Sequence, residues 1–460
     1  MVKIAPFRGV VYNSGEFERD GSKLVTPPYD VLGPVERQAY LDSHPHNFLH
    51  LDLGRVLPGE PVMAWHRRAA ETMNQWLSQG VLVRRDQPAI LLMDTEWTNP
   101  LTGRRMTRHG MICLLRLEEV GKSSRVRLHE KTFSFHKEER LDLMEMTRAH
   151  LSPVFGFVPD PDTSILRIMF DLAGTHPDFS VLEPGGLSHH GSFIQVGDSL
   201  AKLAEMLKDT TVYIADGHHR YETALKYRRE ILGELDRNHQ ESAPNSSIDY
   251  VMAYISPMSD PGLCVLPTHR VLSCVSLTDD EILRSLARYC DIKDFPFNGE
   301  DSQARADLAQ KLLDDNKKGL TVFGMFLKGY RRYYFIKVKE KVKESIALAH
   351  PDEADLNGLD VAILTNLIIK KALGMTEEDL DNPDCISYVT TIDQAVEAVN
   401  DRDHRAAFIL NPTTLDEILK ITEGGRLMPR KSTHFYPKVT NGLVFNLVDP
   451  MESIVDLEKN

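Results

Sequence analysis

The stretch Thr211 to Leu225, TVYIADGHHRYETAL, narrows the choice of folds more than any other part of the chain. Val212, Tyr213, Ile214 and Ala215 read as a short buried strand, dense in β-branched and apolar residues. From Tyr221 onward Ala224, Leu225, Tyr227 and Ile231 recur at helical spacing, while Glu222, Lys226 and Arg229 fall on the opposite, polar side. Asp216, Gly217, His218, His219 and Arg220 occupy the turn between strand and helix. Backbone N–H groups at a helix start carry partial positive charge and suit an anion such as phosphate. A glycine lets the backbone approach closely, and a guanidinium can hold phosphate or carboxylate with two bonds. The competing reading makes Asp216 an N-cap and the histidines solvated turn residues. Five such residues in an apolar setting exceed what capping alone requires.

A chain of 460 residues exceeds a single hydrophobic core, so two or three domains are expected. The net charge of −13 argues against a general nucleic-acid or anionic-membrane binder, while leaving room for a local basic pocket. Cys113, Cys264, Cys274, Cys290 and Cys385 are scattered without a CxxC pair, which argues against a zinc ribbon or a disulfide framework and fits a reducing cytosol. The N-terminus lacks the apolar core of a signal peptide, and no run reaches the roughly 18 apolar residues of a membrane helix. A cytoplasmic protein without a membrane partner is expected.

Along the chain, Thr26-Pro27-Pro28-Tyr29-Asp30-Val31 is a preorganised turn. Tyr29 and Asp30 project from it as ligand contacts, or Asp30 caps a helix starting near Pro34; both readings stand. Phe48 to Leu53, FLHLDL, reads as a strand, residues 62 to 83 as an amphipathic helix, and Ala89 to Leu117 as a hairpin. Around His129-Glu130-Lys131-Thr132 the spacing is HExT, not the two-histidine zinc helix. Glu130 is a candidate base or metal ligand there, or a surface ion-pair partner; Arg140, Arg148 and His150 follow on and after the next helix. Pro267-Thr268-His269-Arg270 reads as a turn at a strand end, where open α/β sheets bind ligands. Residues 277 to 345 read as a small α+β insertion whose KVKEKVKE run is a solvated face, and residues 355 to 373 as one apolar helix. Lys431, Ser432, Thr433, Tyr436 and Lys438 gather cations and hydroxyls between Pro429 and Pro437, either for phosphate or as a basic surface loop.

Seven motifs in order carry a resemblance: PFRG, PPYDV, HExT with SPVFG, ADGHHRYETA, LPTHR, NPT and MPRKSTHFYPK. Together they resemble, over essentially the whole chain, a prokaryotic family known only as a domain of unknown function. Arg430, His434 and Leu128 depart from its pattern without removing an identifiable chemical group. The central DGHHRYETA is also similar to the helix-start motif of the ParB/sulfiredoxin-like superfamily, which includes partition proteins, sulfinic-acid reductases and free-serine kinases.

That second resemblance implies a mixed α/β (α+β) fold with a ParB/sulfiredoxin-like core at 106–275. Segments would then run 1–105, 276–345 (an insertion) and 346–460. It implies a small-molecule phosphotransferase, most concretely a free L-serine kinase using Mg²⁺ with ATP, ADP or pyrophosphate as donor. In that reading Glu130, Asp216 and His218 are catalytic, and Asp216 holds the metal. Gly217, His219, Arg220, His269, Arg270, Lys431, Ser432, Thr433 and Lys438 bind phosphate or nucleotide, and Tyr29, Asp30, Arg140 and Arg148 face the substrate. Partners are a small substrate and a phosphate donor, with no nucleic acid and no membrane; a homo-oligomer is allowed. Two other classes remain open: a metal-dependent hydrolase built on His129, Glu130, Asp216 and His218, and a nucleotide-binding regulatory protein.

Overall fold

The computed structural model describes residues 1–54, 59–61, 63–121, 123–130, 135–349, 353–401 and 404–457, with backbone alone at 135–137 and 401. It is a mixed α/β protein of two compact units. The first comprises Met1–Leu128, Thr132–Cys264 and Pro437–Asn460, and the second His129–Lys131 and Val265–Tyr436. No helix among the described residues is long and apolar enough to cross a membrane.

The first unit is built on a nine-stranded sheet. Its order is Val126–Leu128, Val212–Asp216, Val154–Val158, Tyr250–Pro257, Arg105–Arg116, Ala89–Thr98, Ser188–Gln195 and Phe179–Leu182, with Ile4–Ala5 pairing Arg105–Arg116. The sheet is mixed: Val212–Asp216 runs parallel to Val126–Leu128 and antiparallel to Val154–Val158. Its central strands read as near-continuous apolar runs because both faces are covered. The helices Ser164–Ala173, Asp198–Lys208 and His218–Arg237 place Ile165, Leu203, Tyr221 and Ala224 in the same core as Val154 and Ile214.

FLHLDL forms the short helix Leu49–Asp52, not a strand. Asn47 Oδ1 accepts from Leu49 N at 2.9 Å and starts a helical turn, and six alternating residues are too few to fix a period. Gly33 is the N-cap of the helix Pro34–Ser43 and its N–H donates to Glu36 Oε2 at 2.9 Å, so Asp30 is not the cap. Asp30 sits in the 3₁₀ turn Tyr29–Val31.

The second unit carries a six-stranded sheet ordered Cys290–Pro296, Arg332–Val338, Val322–Leu327, Ala406–Ile409, His269–Leu272 and Ile386–Val389. Strands from 290–338 pair directly with strands from 386–409, so residues 276–345 are not a separate insertion. His269 and Arg270 lie inside a strand, not in a turn. The Lys/Glu/Val run is divided, Lys337 and Val338 ending the strand Arg332–Val338 and Glu340 opening the helix Glu340–Ala349, and residues 355–373 break into Ala354–Asn357, Asp360–Ile363 and a π-helical Leu364–Ala372. Antiparallel pairing of His269–Leu272 with Ile386–Val389 brings Cys274 and Cys385, 111 residues apart, into a disulfide. The expectation of unpaired cysteines therefore fails at these two; Cys113, Cys264 and Cys290 are free.

Asp360 gives this unit a pH signature. Burial, aided by the charge of Glu417, pushes its carboxyl up to about 7 against the hydrogen bond from Asn316 Nδ2 at 3.0 Å. Between about pH 4 and that value the folded state keeps a proton that the unfolded state has lost, so stability falls as pH rises. Asp360→Asn should flatten that decline in the urea midpoint. An unaltered slope would show that Asp360 is not its source.

Candidate functional site

In the first unit the central turn is built as its sequence suggests. Val212–Asp216 ends with a register shift between Ile214 and Asp216 against Val154–Val158, a bulge that re-aims the last side chain. Gly217 caps the helix His218–Arg237 at φ +81°, and a Cβ there would be strained and would lie 2.8 Å from Arg220 Nε, displacing that guanidinium. Tyr221 pins the helix by accepting from Glu118 N at 3.0 Å and donating to Glu118 O at 2.9 Å.

Asp216 is held between two cations. Arg220 Nη2 donates to its Oδ2 at 2.7 Å and Lys438 Nζ donates to its Oδ1, while Arg220 Nη1 donates to Pro153 O. Burial would raise the Asp216 carboxyl, but the charges of Lys438, Arg220 and His218 outweigh it and hold the group well below the usual carboxylate range. Burial likewise opposes the charge on Lys438, yet Asp216 and Asp30 raise its pKa above the ordinary lysine value. All three side chains keep a little solvent contact, with Asp216 16% exposed and Arg220 and Lys438 13% each.

Beside this group lies a second layer. Arg140 Nη1 donates to Asp52 Oδ1 at 2.8 Å and to Asp52 O at 3.1 Å, and its guanidinium carbon stands 3.8 Å from the Tyr29 ring centroid. Asn441 Nδ2 donates to the other Asp52 oxygen at 3.3 Å. The Tyr29 hydroxyl is pushed up by burial, against the charges of Arg140 and Arg220. Tyr29, Asp30, Arg140, Asp216, Arg220 and Lys438 thus form one interacting set within the first unit. Arg148 stands apart, lining a cleft with Glu145, Tyr227 and Glu230.

The second unit gathers a different set. Glu130 Oε1 accepts from Thr433 N at 2.8 Å and Thr433 Oγ1 at 2.6 Å, and its Oε2 from Lys431 N at 3.2 Å. His129 Nε2 meets Thr433 Oγ1 at 2.8 Å. Lys431 adopts φ +55°, a conformation non-glycine residues avoid. Its carbonyl oxygen is held by Thr268 Oγ1 at 2.7 Å and Arg270 Nη2 at 3.1 Å, and Ser432 Oγ donates to Pro429 O at 2.6 Å. Glu130 and Arg270 therefore brace the 429–433 loop. Arg270 and His269 are 1% and 2% exposed. Burial, with the adjacent Arg270 charge, pulls His269 down to about 3, so its neutral ring accepts from Leu410 N at 3.3 Å.

Of the HExT motif, Lys131 and Thr132 lie outside the described residues. Among the described residues, the three metal-capable side chains whose ligand atoms converge are Glu16, His44 and His46, none of which belongs to the hydrolase set. Sequence reasoning missed Asp52, Asn441, Ser152 and Thr223. Asp52 left a signal as an acid inside an apolar run, and Ser152 and Thr223 lie within the quoted motifs SPVFG and ADGHHRYETA.

A family model described as "Protein of unknown function (DUF1015)" matches residues 4–362, and the chain belongs to that family. No curated protein matches it. Among solved structures, a free serine kinase in complex with AMP is similar at TM-score 0.32 and 12% identity, over 73% of this chain and 90% of that one. A conserved hypothetical protein from Pyrococcus furiosus is similar at TM-score 0.31 and 12% identity, over 75% and 99%. SbnI with a C-terminal truncation, from Staphylococcus aureus, is similar at TM-score 0.28 and 10% identity, over 75% and 88%.

Proposed function

We propose that this member of the DUF1015 family is a small-molecule phosphotransferase, most concretely a free L-serine kinase forming O-phosphoserine from a nucleotide or pyrophosphate donor. One observation carries the reading: an ionised Asp216 fixes Lys438 and Arg220 at the start of the motif helix, behind a glycine that leaves the backbone open. Phosphoryl transfer asks little covalent chemistry of a protein. Positioning and neutralisation of the phosphate oxygens suffice, and two pre-aimed cations beside a helix N-terminus supply both.

Two expected roles change in this reading. Both oxygens of Asp216 already accept from cations, a donor set that does not fit a resident Mg²⁺; the metal would enter with the donor's phosphates. Glu130 accepts from Thr433 N, Thr433 Oγ1 and Lys431 N, so acting as base would cost the loop its anchor, and we assign it to holding that loop.

The test incubates the full chain with L-serine, Mg²⁺ and, separately, ATP, ADP and pyrophosphate, and assays phosphoserine. Product above an Asp216→Ala control with at least one donor is expected. Absence of product with all of them rejects serine as the acceptor.

A further inference from the structure

The first unit holds a cavity of about 50 Å³ whose lining includes Arg140, His150, Ser152, Arg220 and Thr223 among apolar neighbours such as Leu143 and Val251. Arg140, His150, Ser152 and Thr223 are each at least nine-tenths buried, at 7%, 6%, 8% and 4% exposed. Buried polar atoms of native proteins normally find partners. Here Arg140 Nε and Nη2, Arg220 Nε, Ser152 Oγ, Thr223 Oγ1 and His150 Nε2 have no hydrogen-bond partner among the described residues.

These atoms are donors almost without exception. A guanidinium has no acceptor, and hydroxyls can turn their protons inward. Asn446 Nδ2 faces His150 Nδ1 at 3.4 Å, which places the proton of the neutral ring on Nε2, and burial keeps that ring neutral by pulling its pKa to about 4. Asp52 uses only Nη1 of Arg140, and the Glu139 carboxylate reaches Nη2 no closer than 3.8 Å. Asp216 uses Nη2 of Arg220. The residues that carry these unused donors line one small volume, of a size suited to a planar group of three heavy atoms with an apolar stem.

We infer that this cavity is a subsite for the carboxylate of a small organic acid, held by Arg140 and Arg220 with the Ser152 and Thr223 hydroxyls. The identification of that acid as the phosphoryl acceptor rests on the phosphotransferase reading; the binding itself does not. Arg220 both lines this cavity and donates to Asp216, which links a carboxylate held here to the Asp216 group.

The experiment is thermal shift of the full chain at constant ionic strength with acetate, L-serine, ethanolamine and inorganic phosphate, on wild type, Thr223→Val, Ser152→Ala and the double variant. A binder raises Tm by an amount that grows with the logarithm of its concentration over Kd. Acetate and L-serine are expected to raise Tm and ethanolamine, which lacks the carboxylate, is not. The double variant should need at least tenfold more of either carboxylate to reach the same shift. Because the Thr223 hydroxyl has no partner, Thr223→Val should not lower the Tm of the unliganded protein, and if the double variant is unfolded each single variant carries the comparison. No response to either carboxylate, or responses identical in wild type and variants, would overturn the proposal in favour of ordered water. A phosphate response abolished by the variants would also overturn it, by making the occupant a phosphate. None of these readouts needs turnover, so a failed phosphoserine assay and a failed carboxylate site are distinguishable.

Discussion

Arg140→Met is expected to destabilise the first unit by about 3–5 kcal/mol, the cost of leaving a buried charge without its partner. Asp52 is 2% exposed and depends on Arg140 Nη1 and Asn441 Nδ2, so a methionine of similar length fills the space yet strands the carboxylate. The loss of the guanidinium stacked on Tyr29 adds to the deficit. Urea denaturation followed by fluorescence reads the effect as a lower midpoint at constant slope. Asp52→Asn in the same background should recover much of the loss, because the amide needs no counter-charge. A single-variant cost below about 1 kcal/mol, the range of exposed ion pairs, would show that water reaches this pair.

On the phosphotransferase reading proposed above, Asp216→Asn is expected to reduce phosphoryl transfer by about 10²–10³-fold, the range for removing one preorganised electrostatic contact. The amide cannot hold Lys438 and Arg220 together, so two cations aimed by one carboxylate would separate. The fall should appear in kcat as well as KM, since in the proposed reaction the same cations would meet charge that develops during transfer. Equal kcat in wild type and variant, with product formed, would remove Asp216 from the machinery.

The same substitution has a pH signature in stability. Asp216 sits well below its unfolded value, so its contribution is complete above about pH 4 and is lost as pH falls toward the folded value. Lys438 is raised, so its share is present below the ordinary lysine range and is lost as pH rises through the folded value. The variant should lack that acid-side decline.

Much of the first unit's site was legible in the chain itself. The change from a β-branched run to helical spacing at 212–231 located the strand, the turn and the helix, and Gly217 falls where the backbone needs positive φ. Lys438 could be named from its stiffened, cation-rich stretch, although nothing local tied it to Asp216, 222 residues earlier. His269 and Arg270 show the limit in the other direction. A histidine-arginine pair after an apolar run reads as a ligand turn, but a new strand starts at His269, and backbone pairing with 386–389 and 406–409 buries both side chains. Short segments such as FLHLDL failed because six residues fit either period.

Chemistry confined to one turn was therefore written in the sequence: the acid, the glycine and the guanidinium lie within one strand end and one helical turn, whose geometry is local. Pairings between distant segments were not. Asp52 with Arg140, Asp216 with Lys438, Glu130 with Thr433 and Cys274 with Cys385 depend on which strands become neighbours. That choice is made by burial of whole apolar faces, a property of the assembled core rather than of any window along the chain.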